Sequence, residues 1–153
     1  MSDILHLRPE DAPVKHVSEH ECFEYYKRTL LHRGQVGCVA ALYEIPPGKA
    51  NFPYHYHVKN EECFYILSGS GTLKTPEGKR EVKAGDFLFF PANENGAHKL
   101  TNTGTQPLTY LDFDTAHDID VTLYPDSKKI AVWGKDINQV YRTGDRVDYY
   151  EGE

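Results

Sequence analysis

Residues 46–69, PPGKANFPYHYHVKNEECFYILSG, decide how this chain is read. His55 and His57 stand two residues apart, Glu62 lies five beyond His57, and Gly69 closes the run. Side chains on an extended strand alternate between its faces, so histidines at i and i+2 project from one face and bring two imidazoles side by side. A carboxylate arriving from the next strand completes three corners of a metal site. Imidazole suits Zn, Fe, Ni and Cu, and carboxylate also suits Mn and Mg. Farther along, in residues 85–102, GDFLFFPANENGAHKLTN, His98 is the candidate fourth ligand.

Two carboxylates compete for the third corner, because Glu61 and Glu62 both follow the histidines at a usable distance. Only Glu62 falls in phase with Phe64 and Ile66 on the return strand, which directs it into the interior with an apolar floor beside it. Cys63 then points to the opposite face, away from the metal.

Gly48, His55, His57, Glu62 and Gly69 resemble the first signature motif of the cupin superfamily, and Gly85, Pro91, His98 and Asn102 resemble the second. One extra residue lies between Gly48 and His55. The span from Pro91 to His98 is two residues longer than the usual motif, although ENGAH restores a glycine two residues before the histidine. The resemblance covers roughly residues 38–114, and the end segments are similar to those of small single-domain bacterial cupins. It implies an all-β jelly-roll barrel that binds one divalent metal ion per chain, Zn, Fe, Mn or Ni, through His55, His57, Glu62 and His98. It also implies pairing into a homodimer, for which exposed sheet edges give a physical reason.

Length and composition fit this picture. A chain of 153 residues is enough for one domain with its own core, and eleven tyrosines favour strands over a helical bundle. The expected division is a barrel core over residues 36–114, flanked by extensions over 1–35 and 115–153. Net charge is −6, and no Lys/Arg run could neutralise a row of phosphates, which argues against nucleic acid as a partner. No apolar run approaches the roughly 20 residues needed to cross a bilayer, and MSDILHLRPED lacks the features of a secretory leader. The expected location is the cytoplasm, without a membrane partner. Cys22, Cys38 and Cys63 are odd in number and lack C-x-x-C spacing, so they read as free thiols.

Taken in order, residues 1–20 read as an irregular lead-in, and ECFEYYKRTLL over 21–31 as a short helix or a strand. Residues 36–45 form a strand ended by Pro46-Pro47-Gly48. Residues 52–57 alternate an aromatic face against the imidazole face, and 59–61 reverse the chain. Residues 79–83 read as a polar edge strand, FLFF over 87–90 as a strand buried on both faces, and 107–113 as the last core strand. The extensions are expected to be irregular or partly helical, with a strand near KKIAVW at 128–133 and a tyrosine-rich tail packed on the barrel or on a neighbour.

Three neutral imidazoles and one carboxylate leave a divalent ion with net positive charge and room for a bidentate oxygen ligand. One reading is therefore a metal-dependent enzyme acting on a small oxygen-rich metabolite, such as a sugar or sugar-phosphate isomerase, a dioxygenase or a decarboxylase. Tyr54, Tyr110 and Asp112 are the candidate catalytic groups, against plainer readings of outside packing for Tyr54 and strand-end solvation for Asp112 and Asp114. The other reading is a non-catalytic module that binds a small ligand or the metal itself.

Overall fold

Turn residues punctuate the chain at short intervals and leave room for strands rather than helices. The computed structural model describes residues 3–153. Its strands are β1 (Val14–His20), β2 (Phe23–Leu31), β3 (Cys38–Ile45), β4 (Tyr56–His57), β5 (Glu62–Ser68), β6 (Ser70–Thr75), β7 (Gly78–Lys83), β8 (Phe87–Phe90), β9 (Lys99–Thr101), β10 (Leu108–Thr115), β11 (Ile119–Tyr124), β12 (Lys129–Gly134) and β13 (Asn138–Arg142). The helical pieces among the described residues are single 3-10 turns at Pro9–Asp11 and Glu94–Gly96.

Three sheets form, in the orders β1-β2-β3-β10-β5-β8, β13-β12-β11-β4 and β7-β6-β9. The all-β class stands, but the hydrogen-bonded ladder does not run continuously round a barrel; the six-stranded and three-stranded sheets share one hydrophobic core. That core follows from period-2 alternation. β3 turns Ala41, Tyr43 and Ile45 inward, β5 turns Glu62, Phe64 and Ile66, and β10 turns Leu108, Tyr110 and Asp112, all of them buried. Antiparallel register sets Tyr110 opposite Tyr43 on one side and Ile66 on the other, and Asp114 opposite Glu62. The inward rows of β5 and β10 therefore run from an apolar end to a polar end. Full burial of Phe64, Ile66 or Leu108 stabilises the fold by about 1.5–3 kcal/mol apiece.

Several expectations change. The lead-in is not irregular throughout, because Val14–His20 pairs with β2, as Lys15 with Lys27 and Val17 with Tyr25. The ambiguous 21–31 segment is a strand, since pairing to both β1 and β3 outweighs its mixed periodicity. No α-helix occurs in either extension among the described residues; 115–142 instead adds three strands. The predicted strand over 52–57 shrinks to Tyr56–His57, because Pro53 offers no N–H to a ladder and the Asn51 side chain takes the amide of Phe52. β8 is buried on one face only: it is a sheet edge with nothing over its outer side, so Phe87 and Phe89 are 65% and 52% exposed while Phe90 is buried. The polar strand at 79–83 lies at an edge, as expected.

Candidate metal centre

His55 needs no long strand to be placed. Its amide donates to the carbonyl of His98 at 3.1 Å, and the amide of His98 returns the bond at 2.9 Å, so the backbone joins the two histidines directly. β4 holds His57 against Thr122 of β11, and β5 carries Glu62 inward. The longer turn before His98 is closed by Asn93, whose side chain accepts from the amide of Asn95, and by Gly96. A Cβ on Gly96 would sit 2.0 Å from the carbonyl oxygen of Pro91, so only glycine fits there.

The three Nε2 atoms of His55, His57 and His98 converge on one oxygen, Glu62 Oε2, at 3.7, 3.5 and 3.3 Å. Every Nδ1 is engaged elsewhere: His55 with the carbonyl of Pro53 at 2.8 Å, His57 with Asp120 Oδ2 at 2.5 Å, and His98 with the carbonyl of Gly96 at 2.9 Å. These oxygens accept hydrogen bonds, so each proton resides on Nδ1 and each lone pair on Nε2. Glu62 Oε2 and His98 Nε2 are buried without a hydrogen-bond partner. Buried polar atoms are normally satisfied. Three lone pairs turned toward one carboxylate oxygen, with at most the single proton of Glu62 to share among them, fit a divalent cation as the missing partner.

The electrostatics agree. Burial, reinforced by neighbouring His57, lowers His55 to about 4. Burial and His55 hold His98 well below the ordinary imidazole range. Burial alone would lower His57 too, but its hydrogen bond to Asp120 and the charge of Glu62 offset this and leave it above its usual value. Burial pushes Glu62 up to about 8. In the metal-free protein burial thus keeps His55 and His98 neutral and favours a protonated Glu62, while His57 holds a proton more readily than a free imidazole.

Beside these groups lies a cavity of about 300 Å³, lined by His55, His57, Glu62, Asp112 and Asp114. Lys27, Arg33, Thr122, Tyr124 and Trp133 also form part of its wall. Asp112 is 6% exposed, contrary to the solvated reading, because β10 is a central strand with β3 and β5 on either side. Glu62, Asp112 and Asp114 each bring a carboxylate oxygen within 4.8 Å of the others. One oxygen of Asp112 and one of Asp114 lack hydrogen-bond partners. Burial, then the nearby Asp114, keeps Asp112 well above the usual carboxylate range, and burial raises Asp114. Burial also lifts Tyr124 to about 12, so its hydroxyl stays protonated.

The other two candidate catalytic groups stand apart. Tyr110 is fully buried behind the cavity, its ring stacked on Tyr43 and its hydroxyl accepting from the Asn51 amide. The ring of Tyr54 lies under Lys74 Nζ at 4.2 Å and does not line the cavity.

The profile of the Cupin domain family matches residues 41–114. The chain belongs to the cupin family. An uncharacterized protein of Methanocaldococcus jannaschii is 40% identical to this cupin over 87 residues, 55% of this chain and 67% of that one. Among solved structures, a protein of Acidithiobacillus ferrooxidans provisionally named a sugar phosphate isomerase is 29% identical, with TM-score 0.70 and 82% of each chain covered. A cupin-superfamily sugar phosphate isomerase of Silicibacter pomeroyi superposes with TM-score 0.81 over 95% of this chain and 98% of its own; at 17% identity it speaks for the fold alone.

All four candidate ligands of this cupin lie within the matched segment, whereas Lys27, Arg33, Thr122, Tyr124 and Trp133 lie outside it. Sequence reasoning missed those wall residues, and it missed Asp120. The one available signal for Asp120 was the alternation Asp120, Thr122 against Val121, Leu123, which marks a polar row on a strand without revealing its partner.

Proposed function

We propose that this cupin is a divalent-metal-dependent enzyme that isomerises a small oxygen-rich metabolite carrying an anionic group, of the sugar-phosphate kind. The observation that carries the reading is the pair of unpartnered carboxylate oxygens on Asp112 and Asp114, which line the same cavity as the imidazole cluster. Isomerisation requires a base beside the carbonyl to take a proton from one carbon and return it to the next. His55, His57, Glu62 and His98 would hold the ion, whose Lewis acidity, when bound, polarises a substrate carbonyl. We assign the proton transfer to Asp112, with Asp114 beside it. Lys27 and Arg33 supply the positive charge in the wall that an anionic substituent needs, and Tyr124 supplies a donor for a hydroxyl or carbonyl oxygen.

The test is aldose-to-ketose conversion of a panel of sugar phosphates in D₂O, followed by NMR, with wild type and Asp112→Asn compared at equal metal content. The expected result is turnover with deuterium entering at the carbon beside the carbonyl, lost in the variant. Saturable binding of the same compounds without turnover would replace the enzyme by a ligand-binding module.

Residues 1–153 are read as one domain, because both extensions contribute strands to the sheets that flank the matched segment. A second copy is the partner we assign to the outer face of β10, β5 and β8, where Tyr65, Leu67, Phe87, Phe89 and Phe113 are 44–65% exposed. The edge strand β8 is self-complementary about a two-fold axis when it pairs antiparallel with its own copy. Light scattering should give a dimer for wild type and a monomer for a Phe87→Ser, Phe89→Ser double variant; a monomeric wild type overturns the assignment.

A further inference from the structure

Asp120 lies beyond the family-matched segment, on β11, and is fully buried. Both of its oxygens face the metal centre's own loop. Oδ2 accepts from His57 Nδ1 at 2.5 Å, and Oδ1 accepts from the amides of Lys59 at 2.9 Å and Asn60 at 3.3 Å. These amides belong to the bend that separates His57 from Glu62, so one carboxylate fixes both the ring of one candidate ligand and the spacing to the next. Backbone pairing reinforces the placement: Thr122 is set opposite His57, and the amide of Val58 donates to the carbonyl of Val121 at 2.8 Å. Thr122 Oγ1 sits 3.2 Å from the same His57 nitrogen and is held by Trp133 Nε1, which donates to it at 2.9 Å. His55 and His98, by contrast, are oriented by carbonyls within two residues of themselves. Of the three imidazoles, His57 alone takes its orientation from a distant side chain.

We infer that Asp120 is a positioning residue that fixes the tautomer and direction of His57, so that the site built from the matched segment is complete only when β11 of the C-terminal extension is in place. The inference rests on reading His57 as a metal ligand. A carboxylate opposite Nδ1 can only accept, which places the ring proton on Nδ1 and the lone pair on Nε2, toward Glu62. An amide at this position cannot reproduce that arrangement. With its NH₂ toward His57, Nδ1 must become the acceptor and the proton moves to Nε2, where it blocks ligation. With its oxygen toward His57, the NH₂ meets the amides of Lys59 and Asn60, donor against donor.

The experiment uses the full-length chain. Histidine-labelled ¹⁵N NMR of the metal-free protein, at a pH high enough to leave His57 neutral, should show it as the Nδ1–H tautomer in wild type and as Nε2–H in Asp120→Asn; Nε2–H in wild type overturns the proposal even where the variant does not fold. Titration with Co²⁺ alone, followed by visible absorption, should show affinity about 10- to 100-fold weaker in Asp120→Asn. In a His57→Ala background the same substitution should have little further effect, since the two residues act through one contact. An equal loss with and without His57 would make Asp120 a general support of the fold and refute the positioning role. If wild type binds no Co²⁺, the metal reading fails, while the tautomer still decides the part played by Asp120.

Discussion

Metal uptake by this cupin should release a proton that is taken mainly from Glu62, and its pH dependence can be worked from the site. Burial raises Glu62 to about 8, whereas a divalent ion requires the carboxylate. At pH 7 about nine-tenths of the metal-free molecules then carry the proton, and binding expels it. Apparent affinity rises with the ionised fraction, by about fiftyfold between pH 6 and pH 8, and levels off above that. His55, at about 4, and His98, well below its ordinary value, are neutral throughout and add nothing. His57, above its ordinary value, steepens the acid end. Stability of the metal-free fold should move the other way. A carboxyl raised from 4.5 to about 8 binds a proton in the folded state that the unfolded chain has lost, so stability falls as pH rises through that window. Calorimetric titration in buffers of different ionisation enthalpy reads the proton count directly. Close to one proton at pH 7 and few at pH 9 is the expected outcome; affinity that is flat from pH 6 to 8 would show that Glu62 is not the group that gives up the proton.

Three substitutions separate the scaffold from the site. Gly96→Ala forces a methyl to within 2.0 Å of the Pro91 carbonyl and displaces the carbonyl that orients His98, so both melting temperature and metal content should fall. Phe64→Ala empties a position packed against Phe90, His98 and Tyr110 and should cost about 3–5 kcal/mol in urea unfolding. Tyr110→Phe leaves the buried Asn51 amide without its acceptor; a loss of about 1–3 kcal/mol is expected, with metal uptake unchanged if Tyr110 is structural.

Period-2 alternation carried the core and most of the metal cluster, because it is a local property of each strand. It placed Glu62, Phe64 and Ile66 on one face, and His98, Leu100 and Asn102 on another, and all six are buried. It failed where position depends on what a strand packs against. Phe87 and Phe89 look like core by composition, yet they face outward because β8 is an edge with an uncovered outer side. Asp112 looks like a solvated strand end but is flanked by β3 and β5. Asp120, sixty-three residues from His57 along the chain, is linked to it only by the pairing of β11 with β4. Long-range pairing of this kind leaves no trace in local periodicity.

Whether the imidazole cluster and Glu62 hold a metal ion is read most directly by elemental analysis of untagged protein purified without added metal. A His55→Ala, His57→Ala double variant is the control. Close to one divalent metal ion per wild-type chain is expected, lost in the variant while the fold persists by circular dichroism. A wild type that is metal-free and cannot be loaded with Zn²⁺, Mn²⁺, Fe²⁺ or Ni²⁺ would contradict a metal role for the cluster.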